Sequence, residues 1–407
     1  MRNPLYKLIF GLISFPFYLI SLLIPRSSNI WIFGAWYGGQ YSDNTSYLYE
    51  YVIEKKIGIK AIWLTSNQPI VDALQKKGYN VYNKNSIYGF WYGSRAGATF
   101  INCGYDDVNK YCIRGSLIIQ LWHGIPLKKI KNDDKINENI QRHSIIILIR
   151  NIILKLLPFL NERYDLIIST GSKVTDRFES AFKINRSNIV ETGYPRMDII
   201  LSEKLAYSRT QLYNYHDDTI EKIILYAPTH RGEGTREHDM LSQLDFDKFN
   251  RFLQKHKSIM LIKMHYYESD KITFHSVNEP SHINLLNGQD INDINRILNH
   301  IDVLITDYSS VFYDFLVLDR PVLFAPFDLE EYQKIDRELY EDYSSATPGP
   351  ICQNWDEIQI QLEEYFSNGD TYRAERKQIY NKYFKYSDNN NSARIIKTVK
   401  DYLSISN

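Results

Sequence analysis

Two histidines in this chain stand directly after short apolar runs. Leu117 to Leu121 leads into Trp122-His123-Gly124, and Ile259 to Lys263 leads into Met264-His265-Tyr266. An imidazole can take up a proton near neutral pH, its ordinary pKa being about 6.5. A third polar cluster, Thr306-Asp307-Tyr308-Ser309-Ser310, follows Val303-Leu304-Ile305. Val311 to Leu318 then has helical spacing, and Val322 to Phe324 is apolar again. That order reads as strand, helix, strand, with hydroxyls at the helix start, where unpaired N–H groups suit a phosphate. A Ser N-cap with no ligand fits the same residues. Thr229 and Arg231, after the run Lys222 to Tyr226, offer a hydroxyl and a fixed positive charge. A lone histidine is more often structural than catalytic. What singles out His123 and His265 is their placement at strand ends in opposite halves of the chain.

Something must hold these groups in place. Ile30 to Gly34, Ala61 to Leu64, Asn80 to Tyr82, Ala98 to Cys103, Tyr164 to Ser169 and Ile189 to Glu191 read as further strands of the first half. Ile283 to Leu285 adds one to the second. Asn44 to Ile53, Val71 to Lys77, Phe249 to His256 and Ile291 to His300 read as helices between them. Alternating short apolar strands and helices predict doubly wound parallel sheets, in which ligands sit beyond the carboxyl ends of the strands.

The 407 residues allow two or three domains. Lys plus Arg and Asp plus Glu are 48 each, so no net charge points to nucleic acid. Cys103, Cys112 and Cys352 have no metal-ligand spacing, which fits a reducing compartment. Residues 1–28 form a hydrophobic segment, apolar from Leu8 to Ile24. That is the lower limit for crossing a bilayer, and Pro16 would kink the helix. We expect a membrane-associating helix here, spanning the bilayer, lying in its interface or packed on the first domain. Residues 142–163 carry a wide apolar face with a basic margin, as an interfacial helix needs, though a core helix would fit too. The expected layout is a first Rossmann-like domain at 29–210, a second at 211–385 and a C-terminal helix at 386–407.

Taken together, the motifs resemble the CDP-glycerol glycerophosphotransferase family. Gly39-Gln40-Tyr41-Ser42-Asp43-Asn44, Leu121-Trp122-His123-Gly124-Ile125-Pro126-Leu127-Lys128 and Thr192-Gly193-Tyr194-Pro195-Arg196-Met197-Asp198 carry the likeness in the first half. Leu225 to Arg231, Lys263-Met264-His265, Ile305 to Val311, Phe327-Asp328-Leu329-Glu330-Glu331-Tyr332 and Asn391-Ser392-Ala393-Arg394 complete it. The family usually has Thr at Ile125 and a small polar residue at Met197; both departures are candidates for a changed acceptor or donor.

The resemblance implies a GT-B fold, two Rossmann-like domains facing across a cleft. It implies transfer of glycerol phosphate from CDP-glycerol to a hydroxyl of a membrane-linked saccharide or growing poly(glycerol phosphate), releasing CMP. The polymer would be teichoic acid or a capsule. CDP-ribitol, or a nucleotide sugar on the same fold, are the alternative donors. His123 becomes the general base. His265 becomes the second catalytic residue, donating to the diphosphate as CMP leaves, and Thr229, Arg231, Asp307, Ser309, Ser310 and Asp314 become donor or phosphate ligands. Gly124, Lys128, Asp43, Asn44, Arg196 and Asp198 are assigned to the acceptor side or the cleft, although Asp43 and Asn44 also suit a helix cap, and Arg196 and Asp198 a structural loop. No paired carboxylates stand at a strand end of the second half, so no metal is required; Mg²⁺ on the diphosphate stays open. The expected partners are CDP-glycerol, a lipid-linked acceptor and the cytoplasmic face of the membrane.

Overall fold

The structure is a computed structural model. It describes residues 4–134, 153–202, 207–213, 219–229, 240–264, 281–286, 291, 293–335 and 338–405. His265, Arg231 and residues 142–152 of the 142–163 stretch lie outside the described residues. Contacts divide the chain into two units, Met1–His123 with Asn137–Asp198 and Asn390–Asn407, and Gly124–Ile136 with Ile199–Asn389. These divisions differ from the boundaries expected at 28, 210 and 385. The N-terminal segment and the last helix are part of the first unit, and the residues directly after His123 are part of the second.

The first unit is built on a parallel seven-stranded sheet, in the order β3-β2-β1-β4-β5-β6-β7. Its strands are β1 (Ser27–Phe33), β2 (Lys60–Thr65), β3 (Val81–Asn83), β4 (Ala96–Ile101), β5 (Leu117–Gln120), β6 (Leu166–Ser169) and β7 (Ile189–Glu191). β4 is buried along its whole length, as expected of a central parallel strand covered on both faces. The second unit has a parallel five-stranded sheet, β10-β9-β8-β11-β12. These strands are β8 (Lys222–Tyr226), β9 (Ser258–Ile262), β10 (Ile283–Leu285), β11 (Val303–Thr306) and β12 (Val322–Phe324). Each order reverses beside its first strand, at β1/β4 and at β8/β11. In open parallel sheets ligands bind at the carboxyl ends beside such a reversal.

Helix α1 (Pro4–Leu23) packs on the first unit through Gly11, Ser14, Tyr18 and Ser21, with Tyr18 against Leu157 and Phe159. Among the described residues no helix is long and apolar enough to cross a membrane. The spanning option is therefore dropped in favour of packing on the domain. Apart from Tyr18 the packed face is small and polar, and the apolar side chains Leu12, Ile13, Phe17, Leu19, Ile20, Leu22 and Leu23 point outward and are exposed. In the described part of the 142–163 stretch Leu157 and Phe159 are buried, while Lys155 and Leu156 are exposed.

Other differences have local causes. α2 (Asp43–Glu54) and α3 (Gln68–Lys76) stand where helical spacing places them, but α4 (Ile87–Arg95) has no counterpart in the sequence reading. Gly89 and Gly93 hide it, since glycine disfavours helix. Both are packing requirements: a Cβ at Gly89 would lie 2.3 Å from the Asn83 carbonyl, and one at Gly93 2.3 Å from Cys112 Sγ. Ile291 to His300 is not one helix but two short turns, Ile294–Arg296 and Leu298–His300. The Asp293 side chain accepts the Asn295 N–H, a local bond that competes with helix. The helix after Ser310 runs only from Val311 to Leu316.

Candidate active site

Within the first unit, the motifs scattered along the chain meet at the carboxyl ends of β1, β4, β5 and β7. His123 follows β5 and is half-buried. Its Nδ1 lies 3.0 Å from the Asn102 carbonyl at the end of β4. A carbonyl only accepts, so Nδ1 carries the proton and Nε2 is the basic nitrogen of the neutral ring. The ring stacks on Trp122 at 4.1 Å and lies 5.4 Å from Trp36. The backbone bends on both sides of it, with φ +55° at Trp122 and +141° at Gly124. A non-glycine residue holds a left-handed conformation only when its surroundings enforce it.

The enforcing residue is Asn44, fully buried at the start of α2. Its Nδ2 donates to the carbonyls of Leu121 at 3.3 Å and Trp122 at 2.9 Å, and its Oδ1 accepts the Arg196 N–H at 3.1 Å. The guanidinium of Arg196 pairs with Asp43, and both are buried. Asp198 accepts the N–H groups of Asn391 and Ser392 at 2.9 and 2.7 Å, which ties the C-terminal helix Asn391–Ile405 to this loop. Arg394 Nε closes the network on the Thr192 carbonyl at 2.8 Å. Asn44, with Arg196 and Asp43 behind it, thus holds the loop around His123, a different role from the helix cap open to Asp43 and Asn44 from sequence, and Asp198 anchors the C-terminal helix.

A second support was not anticipated. The Asp107 carboxylate accepts backbone N–H groups from Asn102, Cys103, Gly104 and Tyr37, at 2.9, 2.8, 3.3 and 2.7 Å. It shapes the turn that presents the Asn102 carbonyl to His123. Burial pushes this carboxyl up to about 6, against the pull of those donors. The only sequence signal was a carboxylate closely following the apolar end of β4.

In the second unit, Asp307 ends β11 and is fully buried. Its Oδ1 accepts the N–H groups of Thr229 at 2.8 Å and Tyr308 at 2.5 Å. The loop after β8 is thereby joined to the loop after β11. Tyr308 donates to Asp328 at 2.9 Å and stacks on Tyr332 at 4.0 Å. Burial, with Asp328 beside it, raises the Tyr308 pKa and keeps the phenol a donor. Lys128 Nζ donates to Tyr332 OH at 2.9 Å, and Lys128 pairs antiparallel with Leu339. Ser309 and Ser310 are half-buried at the loop's end, and Asp314 is buried one turn on. With six residues, the helix that follows has little dipole to offer a phosphate. Ser309, Ser310 and Lys128 are half-buried polar groups here, while the Thr229 hydroxyl is buried. Asp307 frames the site together with Tyr308 and Tyr332, which the sequence showed only as parts of motifs, and with Tyr343, which donates to the Asp307 carbonyl at 2.9 Å and had no signal in the sequence. Ile125 and Met197, the two departures from the family pattern, are buried.

Among the described residues no group of three or more His, Cys, Asp or Glu stands together as metal ligands. The fold is similar to that of the wall teichoic acid polymerase TagF, with a TM-score of 0.74 at 23% identity over 98% of this chain and 97% of that one. In sequence, the chain is 31% identical to a teichoic acid glycerol-phosphate transferase of Staphylococcus aureus, over 98% of this chain and 99% of the relative. It is 30% identical to a teichoic acid poly(glycerol phosphate) polymerase of Bacillus spizizenii, over 87% of this chain and 86% of the relative. Residues 16–401 match the family model, and the chain belongs to the CDP-glycerol:poly(glycerophosphate) glycerophosphotransferase family.

Proposed function

We propose that this chain transfers glycerol phosphate from CDP-glycerol to a hydroxyl of a membrane-linked acceptor in teichoic acid synthesis, releasing CMP. The observation that carries this reading is the hydrogen bond from His123 Nδ1 to the Asn102 carbonyl, which makes Nε2 a base. The acceptor O–H loses its proton to Nε2 as its oxygen bonds to the glycerol-bearing phosphorus. The bridging P–O bond breaks, and its electron pair leaves on CMP. Thr229, Ser309, Ser310 and Lys128 supply donors to the diphosphate, and the family resemblance adds His265 and Arg231. No protein-bound metal is needed in this scheme, so activity should survive EDTA after correction for Mg²⁺ on the diphosphate. The outward apolar residues of α1 support contact with a membrane surface.

Incubation with CDP-glycerol, CDP-ribitol and UDP-sugars in parallel, on one short lipid-linked acceptor, tests the reading. Mass spectrometry should show added glycerol phosphate and equimolar CMP from the first donor. Transfer from a UDP-sugar alone would sink the proposal.

Asn44 acts through His123. Asn44→Ala should lower kcat about a hundredfold, because misplacing a reacting group by about 1 Å costs that much. KM for CDP-glycerol should hold. A variant that loses stability yet keeps its kcat would make Asn44 structural only.

A further inference from the structure

A groove of about 1040 Å³ borders α1 in the first unit. Phe17 and Ile20 of α1 and Phe90 of α4 line it with apolar surface, the two phenyl rings 6.0 Å apart. Lys84 and Lys110 line it with positive charge. Lys84 Nζ donates to the carbonyls of Tyr37, at 2.8 Å, and Asp106, while Lys110 pairs with the Asp106 carboxylate at 2.9 Å. Asp106 and the buried Asp107 offset the charge of these two ammonium groups, but both ammonium groups still line the groove. Hydrocarbon surface beside two ammonium groups in one groove matches an amphiphile with an anionic head.

The groove is continuous with two other features. Phe17 and Ile20 also belong to the exposed apolar face of α1, so a chain lying in a membrane surface has a way in. Tyr37 lines the groove too, and its neighbour Trp36 lies 5.4 Å from His123. Trp36 and Tyr37 both have positive φ, +49° and +58°. Three side chains hold that strained pair: Asn102 Oδ1 on the Trp36 N–H, Asp107 Oδ1 on the Tyr37 N–H, and Lys84 on the Tyr37 carbonyl. Strain enforced this heavily marks a functional position. It leaves the Tyr37 ring exposed at the groove, one residue from the indole that touches the base.

We propose that this groove binds the lipid end of the acceptor, a long hydrocarbon chain carrying phosphate. The chain lies along Phe17, Ile20 and Phe90, the phosphate meets Lys84 and Lys110, and the attached polyol or sugar passes Tyr37 toward His123. This rests on the transfer reaction proposed above and names the part of the acceptor that the protein grips.

A photoreactive dodecyl phosphate, with a diazirine in its chain, tests the site on the full-length protein without turnover. Label should fall on the peptides carrying Phe17 to Ile20 and Phe90. Lipid-linked acceptor should protect them, and phospholipid vesicles or inorganic phosphate should not. Label confined to Leu12 and Ile13, or equal protection by phospholipid, would overturn the proposal. Kinetics supply the second readout. A buried methylene changes affinity about fourfold, so an acceptor sugar or polyol linked to dodecyl phosphate should be preferred over its lipid-free counterpart by at least about tenfold in KM. Phe90→Asp, and separately Ile20→Asp, should collapse that ratio toward one; a ratio that survives both variants rejects the groove. Correct labelling with no transfer from CDP-glycerol to any acceptor would instead reject the reaction and keep the groove.

Discussion

His123→Ala should lower kcat by about 10²–10⁴-fold, the range a positioned general base supplies. The expectation follows from the tautomer: a ring whose Nδ1–H donates to the Asn102 carbonyl has Nε2 as its only basic nitrogen. CDP-glycerol binding, read by calorimetry, should change little, since the donor ligands proposed here come from other loops. Residual activity should lose the acid limb of its kcat/KM profile, where a doubly protonated ring can accept nothing. The ring is half-buried against Trp122, so its removal should leave the melting temperature within a few degrees. A correctly folded His123→Ala enzyme within tenfold of the wild-type rate would exclude His123 as the base.

Arg196→Met should destabilise the protein by about 3–5 kcal/mol, because it strands a buried carboxylate at Asp43. That is expected to lower Tm by about 10 °C in a unit of this size. Asp43→Asn combined with Arg196→Met should recover much of the loss, since the uncompensated charge is then gone. Arg196→Lys should rescue poorly, as an ammonium cannot reproduce the planar guanidinium. The single variant should also lose activity, because the Arg196 backbone N–H and the Asn44 amide share the loop that bends at Trp122. Thermal denaturation of the four proteins decides it, and an Arg196→Met protein as stable as the parent would refute the account.

Much of the architecture was legible locally. Short apolar runs such as Leu117 to Leu121 and Val303 to Ile305 are strands because buried parallel strands need continuous apolar side chains. Their polar ends, at His123 and at Thr306 to Ser310, follow from the rule that open parallel sheets bind ligands there. Helix α4 was not legible, because Gly89 and Gly93 answer to close neighbours elsewhere in the chain. The placement of His265 and Arg231 lies outside the described residues.

By itself, then, the sequence determined the element types, the strand ends that carry reactive groups and, through its motifs, the family. Only the tertiary structure decided which motif supports which. Strand order sets the ends of β1, β4 and β5 side by side, so Asn44, Asn102 and Trp36 all reach His123 or its loop from distant positions. It also made Asp43 and Arg196 a buried ion pair and Asp198 a half-buried anchor for the C-terminal helix, and it buried Ile125 and Met197. The physical reason is that strand-forming and helix-forming patterns are local, whereas a buried charge or amide is satisfied by whatever partner the topology brings to it.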